Sequence, residues 1–110
     1  MGYVPKRGDV IWIDFDPQRG REISGTRPAL VLSADGYNVK TGLCVLCAIT
    51  SKIKGYPFEV HIPDSMDIEG VILADQVRTM DWRERKIRFA SSAPSAVITD
   101  VLAKLTTLLN

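Results

Sequence analysis

The sequence is poor in the groups from which metal and redox sites are built. It has one histidine, His61, and two cysteines, Cys44 and Cys47. The C-x-x-C spacing occurs in redox pairs and as half of a zinc site. Here no second cysteine pair is present, and one histidine does not complete a tetrahedral ligand set. The run Leu43-Cys44-Val45-Leu46-Cys47-Ala48-Ile49 reads as a strand, on which positions three apart point to opposite faces. At ~3.3 Å per residue the two cysteines would lie roughly 10 Å apart, beyond the ~7 Å that a disulfide spans between Cα atoms. Two buried structural thiols are expected, with no metal and no cofactor. No run of about 18 apolar residues exists, so no transmembrane helix is expected. The first nine residues lack the apolar core of a signal peptide. Met1-Gly2 is followed at position 6 by Lys rather than Ser or Thr, which argues against myristoylation. These absences make a cytoplasmic protein without membrane contact the expectation. Repeats, low-complexity tracts and linkers are also missing, and the net charge is only +1.

What is present fits one soluble domain over residues 1–110. A chain of this length can bury a compact core without metal or disulfide staples. Charge is unevenly spread despite the small sum. Residues 17–62 carry six basic and three acidic side chains, residues 63–81 five acidic and one basic, and residues 82–90 four basic and one acidic. Local basic patches are therefore expected.

Hydrophobic patterning predicts strands over Val10 to Phe15, Pro28 to Ser33, Leu43 to Thr50 and Phe58 to Ile62. A fifth, Gly70 to Ala74, continues after a bend as Gln76 to Met80, and a short basic strand covers Lys86 to Phe89. Asp35 to Asn38 reads as a turn or a single helical turn. After Pro94, which suits the first turn of a helix, Val97, Ile98, Val101, Leu102, Leu105, Leu108 and Leu109 recur at helical spacing. Short strands without βαβ alternation, followed by one terminal helix, imply a mainly β chain. The expected architecture is a small, mostly antiparallel barrel with an amphipathic helix packed on it.

One stretch stands out chemically. Glu22-Ile23-Ser24-Gly25-Thr26-Arg27-Pro28 sets a carboxylate and a guanidinium five residues apart in a glycine-bearing loop, immediately before a buried strand. An arginine fork there matches two phosphate oxygens at once.

Set in order along the chain, several short segments resemble the MazF/PemK family of bacterial toxin endoribonucleases. They are Arg7-Gly8-Asp9-Val10-Ile11-Trp12, Phe15-Asp16-Pro17, Glu22, and Gly25-x-Arg27-Pro28-Ala29-Leu30-Val31-Leu32-Ser33. Tyr37-Asn38, Thr50-Ser51, Gly55-Tyr56-Pro57-Phe58, Gly70-Val71-x-Leu73-Ala74-Asp75-Gln76-Val77-Arg78 and Trp82-Arg83 follow. The resemblance implies an SH3-like β-barrel of the plasmid-maintenance-toxin type with a C-terminal helix. It also implies a homodimer, metal-independent cleavage of single-stranded RNA at a short motif, and a cognate MazE-like antitoxin that fills the RNA groove with a flexible acidic segment. One position departs: the family commonly has Pro two residues before the active threonine, and here Ala48 precedes Thr50.

The resemblance assigns catalysis to Arg27 and Thr50. Glu22 is the only acidic residue of the 17–34 stretch; a nearby arginine favours its ionised form, so it serves as a base or as an ion-pair partner of Arg27. Ser51 reinforces Thr50 or caps the loop. Asn38, Lys54, Gln76 and Arg78 are candidate RNA contacts, since amides read base edges and cations neutralise phosphates. Asp75 would orient Arg78 or a base, and Arg19 and Arg21 would add sequence-independent attraction. Arg83, Arg85, Lys86 and Arg88 read as a solvated strand face. With His61 alone and on an exposed strand position, a two-histidine ribonuclease mechanism is excluded within one chain. A non-catalytic gyrase poison on the same fold is the alternative, although the helix end Leu105-Thr106-Thr107-Leu108-Leu109-Asn110 offers no exposed aromatic hook.

Overall fold

The computed structural model describes residues 2–16, 20 and 23–110. Six strands form one antiparallel sheet: β1 (Asp9–Asp14), β2 (Thr26–Val31), β3 (Leu43–Thr50), β4 (Glu59–His61), β5 (Val71–Asp81) and β6 (Arg88–Ser92). Among the described residues two helices accompany the sheet, α1 (Asp35–Thr41) between β2 and β3, and α2 (Ser95–Leu109) at the end. The strand order is β4-β5-β3-β2-β1-β6. The sheet curls into a half-barrel, so the mainly β expectation with a terminal helix holds.

Both faces of the sheet are buried, which is why β2 and β3 read as continuous apolar runs rather than as clean alternations. Val10, Leu30, Cys47, Ile49, Ile72 and Ala74 project to one face and meet Val97 and Val101 of α2. Ile11, Ile13, Ala29, Val31, Cys44, Leu46 and Ala48 project to the other and enclose Phe15, Met80 and Trp82. Cys44 and Cys47 thus fall on opposite faces, both buried and both free thiols. Burial pushes the Cys44 thiol up to about 11. It pushes Cys47 up to about 12, with the Asp75 charge adding to the rise.

Local departures from the predicted elements have identifiable causes. The Asp35 turn extends to a seven-residue helix closed by Gly42, whose left-handed φ of 74° lets its N–H reach the Asn38 carbonyl. β5 is one strand, but its partners on β3 jump from Val77 opposite Cys47 to Ile72 opposite Ile49. The anticipated bend is therefore a bulge around Ala74 to Gln76. β6 starts two residues later than expected because Lys86 sits at φ 50°, ending the turn before the strand can begin. On α2, Val97 and Val101 are buried while Leu102, Leu108 and Leu109 are exposed. The apolar stripe is wider than the part of the sheet it covers.

Candidate active site

The end of β3, the start of β2 and the bulge of β5 converge on a groove of about 350 Å³. Ile23, Ser24 and Arg27 line it together with Thr50, Lys52, Lys54 and Tyr56. Glu59, Leu73, Asp75 and Gln76 complete the lining. Arg27, Thr50, Lys54, Asp75 and Gln76, proposed from sequence as site residues, therefore line one space. A second cleft of about 270 Å³ shares Arg27 and adds Ser51, Trp12, Ile49, Asp67, Ile68 and Glu69. Arg27 sits between the two, so Ser51 flanks the groove and does not line it.

Arg27 lies opposite Ile13 in the β1–β2 register. Its Nε donates to the Ser24 carbonyl at 2.8 Å, which orients the guanidinium. Among the described residues the only ion pair is Lys104 with Asp100, so none of them forms an ion pair with the Arg27 guanidinium. Thr50 is the last residue of β3 and is 7% exposed. Its Oγ1 accepts the Lys52 N–H at 3.2 Å, leaving the hydroxyl hydrogen to donate into the groove. Gly70 runs against the Thr50 backbone: a Cβ at Gly70 would lie 2.1 Å from the Thr50 carbonyl oxygen. That close approach, at φ 119°, admits only glycine. Lys54 places its ammonium 5.7 Å from the centre of the Tyr56 ring, a cation–π pair on the exposed loop.

Two expected site residues are elsewhere. Asn38 is completely buried and is corrected to a structural role. Its amide donates to the Pro5 and Ser33 carbonyls at 2.7 and 3.0 Å, and its side-chain oxygen accepts the Ser33 hydroxyl at 2.6 Å. Every polar atom of that amide is engaged inside the fold, so it has none to offer a base. Arg78 does not line the groove; it donates to the Phe15 carbonyl at 3.4 Å and lies 5.7 Å over the Phe15 ring, tying β5 to the end of β1. Glu22, Arg19 and Arg21 lie outside the described residues. Arg85, one of the supposed solvated cations, donates to the Asp14 and Asp16 carbonyls and pins the β5–β6 turn to β1.

Sequence reasoning missed Glu59, Lys52 and Tyr56 as groove residues. Lys52 was legible as a second cation in the Lys54 loop. Glu59 was not, because strand alternation put it on a solvent face together with His61. His61 is indeed exposed, but Glu59 is only 8% exposed because the β3–β4 loop folds over it.

The profile of the PemK-like, MazF-like toxins of type II toxin–antitoxin systems matches residues 6–109. The chain belongs to this toxin family. The endoribonuclease toxin MazF of Escherichia coli K12 is 53% identical over 83 residues, covering 76% of this chain and 74% of the relative. The crystal structure of MazF from Deinococcus radiodurans superposes on this MazF-like toxin with a TM-score of 0.95. It is 48% identical and covers 98% of both chains. A MazE–MazF crystal structure from the same organism matches with a TM-score of 0.88 and 48% identity over 97% of each chain. The SH3-like toxin architecture expected for the MazF-like chain is thereby confirmed.

Proposed function

We propose that this MazF-like toxin cuts single-stranded RNA in the Arg27–Thr50 groove without a metal ion, and so halts translation. The observation that carries the reading is the meeting of Arg27 and Thr50, from separate strands, in one groove flanked by Lys52 and Lys54. The endoribonuclease activity of its relatives agrees with this chemistry. In the reaction the ribose 2′-oxygen attacks the adjacent phosphorus as its proton leaves to a base. The phosphorus–O5′ bond breaks, and the 5′-oxygen gains a proton. A 2′,3′-cyclic phosphate and a 5′-hydroxyl remain. Arg27 holds two phosphate oxygens and offsets the charge that grows on them. Thr50 donates a hydrogen bond to the same phosphate. Glu22, four residues before the start of β2 in the sequence, is the proposed base. Lys52 and Lys54 neutralise flanking phosphates, while Gln76 and Asp75 face the bases.

The toxin works as a homodimer in the cytoplasm, and its partner is a cognate MazE-like antitoxin. Solved relatives are MazE–MazF complexes, and a groove carrying Arg27, Lys52 and Lys54 would take an acidic peptide as readily as RNA. No helix among the described residues is long and apolar enough to cross a membrane.

Incubation of purified protein with a long single-stranded RNA in EDTA, followed by end mapping, tests the mechanism. Discrete cuts bearing cyclic phosphate and 5′-hydroxyl ends are expected. Intact RNA, or cutting that requires Mg²⁺, would refute it.

A further inference from the structure

Among the described residues Glu59 is the one buried carboxylate of the groove, and the proposed reaction leaves it without a task. Its two oxygens each accept a backbone amide: Oε2 from Lys54 and Oε1 from Gly55, both at 3.0 Å. Its own backbone N–H donates to the Tyr56 carbonyl at 3.1 Å. One residue therefore fastens three consecutive residues of the β3–β4 loop. Residues 51–57 are exposed throughout and belong to no strand, so the loop has no ladder to order it. Gly55, at φ 79°, supplies the left-handed turn that points two successive amides at one carboxylate. At the other end Glu59 is rooted in the sheet, opposite Leu73 of β5 and two residues from Asp75. Hydrogen bonds from N–H to an ionised carboxylate are roughly twice as strong as neutral ones, so the anchor is substantial for a loop this exposed.

We propose that Glu59 is a positioning residue that holds the β3–β4 loop against the sheet and so sets Lys52 and Lys54 beside Thr50 before RNA arrives. The proposal rests on the RNA-cleavage reading of the groove. Because both oxygens are committed to amides, Glu59 acts on binding rather than on proton transfer. A loop that is already placed spares the ordering entropy that binding would otherwise have to overcome. Loss of the clamp therefore shows as weaker binding, with the chemical step intact.

The test uses the full-length toxin and a short RNA oligonucleotide spanning one mapped cut. Glu59→Ala is expected to raise KM about 10-fold while kcat stays within roughly threefold and the pH profile of kcat keeps its shape. Amide hydrogen exchange at Lys54 and Gly55 should quicken. Combining Glu59→Ala with Lys52→Ala and Lys54→Ala should add little further rise in KM, since the clamp acts through those side chains. Glu59→Gln, which accepts one amide and repels the other, should fall between wild type and Glu59→Ala, and it carries the test if Glu59→Ala fails to fold. A hundredfold loss of kcat in both variants with unchanged KM and a lost acid limb would overturn positioning in favour of proton transfer. Unchanged exchange at Lys54 and Gly55 would overturn the clamp itself. Should the wild type leave RNA intact, the RNA reading fails, and amide exchange still decides whether Glu59 holds the loop.

Discussion

At the scale of single residues, Arg27 carries the sharpest expectation. Its side chain is half-buried and, among the described residues, makes one hydrogen bond, to the Ser24 carbonyl. Removing it should spare the structure and remove the anion clamp. Arg27→Ala is expected to lower kcat about 10²–10³-fold, the range seen when a donor aimed at developing charge is deleted. Its thermal unfolding should stay close to wild type. Arg27→Lys should not restore the rate, because a single ammonium cannot hold two phosphate oxygens in a fork. Unfolding monitored by circular dichroism alongside RNA cleavage checks both halves.

The cysteines make a different residue-scale prediction. Burial raises Cys44 to about 11 and Cys47 to about 12, from the ordinary thiol value of 9.0. Above pH about 9 both thiols ionise in the unfolded chain but stay protonated in the folded one. The folded state then binds more protons, so stability is present in full below pH 9 and declines as pH rises through 9 to 12. Denaturant titrations at pH 8 and pH 10 should show the fall, and a Cys47→Ala variant should show less of it. A thiol reagent at pH 8 should modify neither cysteine until the protein is unfolded.

Asn38 shows where residue type stops being informative. An amide in a family-like Tyr-Asn pair suits a base edge and suits backbone carbonyls equally well. Its neighbours in space, Pro5 and Ser33, are 33 and 5 residues away, and only the fold reveals that they claim it.

At the scale of elements, the strand ends decide where chemistry sits. β3 was legible to its boundaries, Leu43–Thr50, because apolar residues fill both faces and polar turns bracket it. That places Thr50 at the strand terminus, where its hydroxyl meets the loop. What holds it there was not legible: Gly70, at the entry to β5, lies against the Thr50 carbonyl. A methyl group at Gly70 would force the two strands apart and would itself be strained at φ 119°. Gly70→Ala should therefore destabilise the fold by roughly 1–3 kcal/mol and reduce cleavage at temperatures where the protein is still folded. A gain or no change in melting temperature together with full activity would contradict that placement of Thr50. The β5 bulge is the second such device. It lets Leu73, Asp75 and Gln76 all line the groove, which a regular strand of period two would not allow for 75 and 76 together.

At the scale of the whole molecule, the net charge of +1 conceals a local arrangement suited to an anionic chain. Arg27, Lys52 and Lys54 share the groove, while Glu59 is occupied by backbone amides. If each cation meets one phosphate, binding of single-stranded RNA to an inactive Thr50→Val variant should weaken with a log–log salt slope of about −2. Lys54→Ala should make that slope shallower by about 0.7. Fluorescence anisotropy across a salt series measures it, and a slope near zero would mean that the groove does not run along the phosphate backbone.

Read alone, the amino-acid sequence determined the elements and the class of fold. Hydrophobic period, turn residues and the switch to helical spacing after Pro94 are local signals, set by neighbours within a few residues. Together with the ordered family segments, they also singled out Arg27 and Thr50. Tertiary structure decided which chemically capable side chains meet. It brought residues 27, 50, 54 and 76 into one groove, withdrew Asn38 into the interior, turned Arg78 toward Phe15, and made Glu59 the anchor of a loop. The reason is physical. Exposure and hydrogen-bond partnership depend on the curl of the sheet and on how each loop crosses it, and both are set by contacts between residues far apart along the chain.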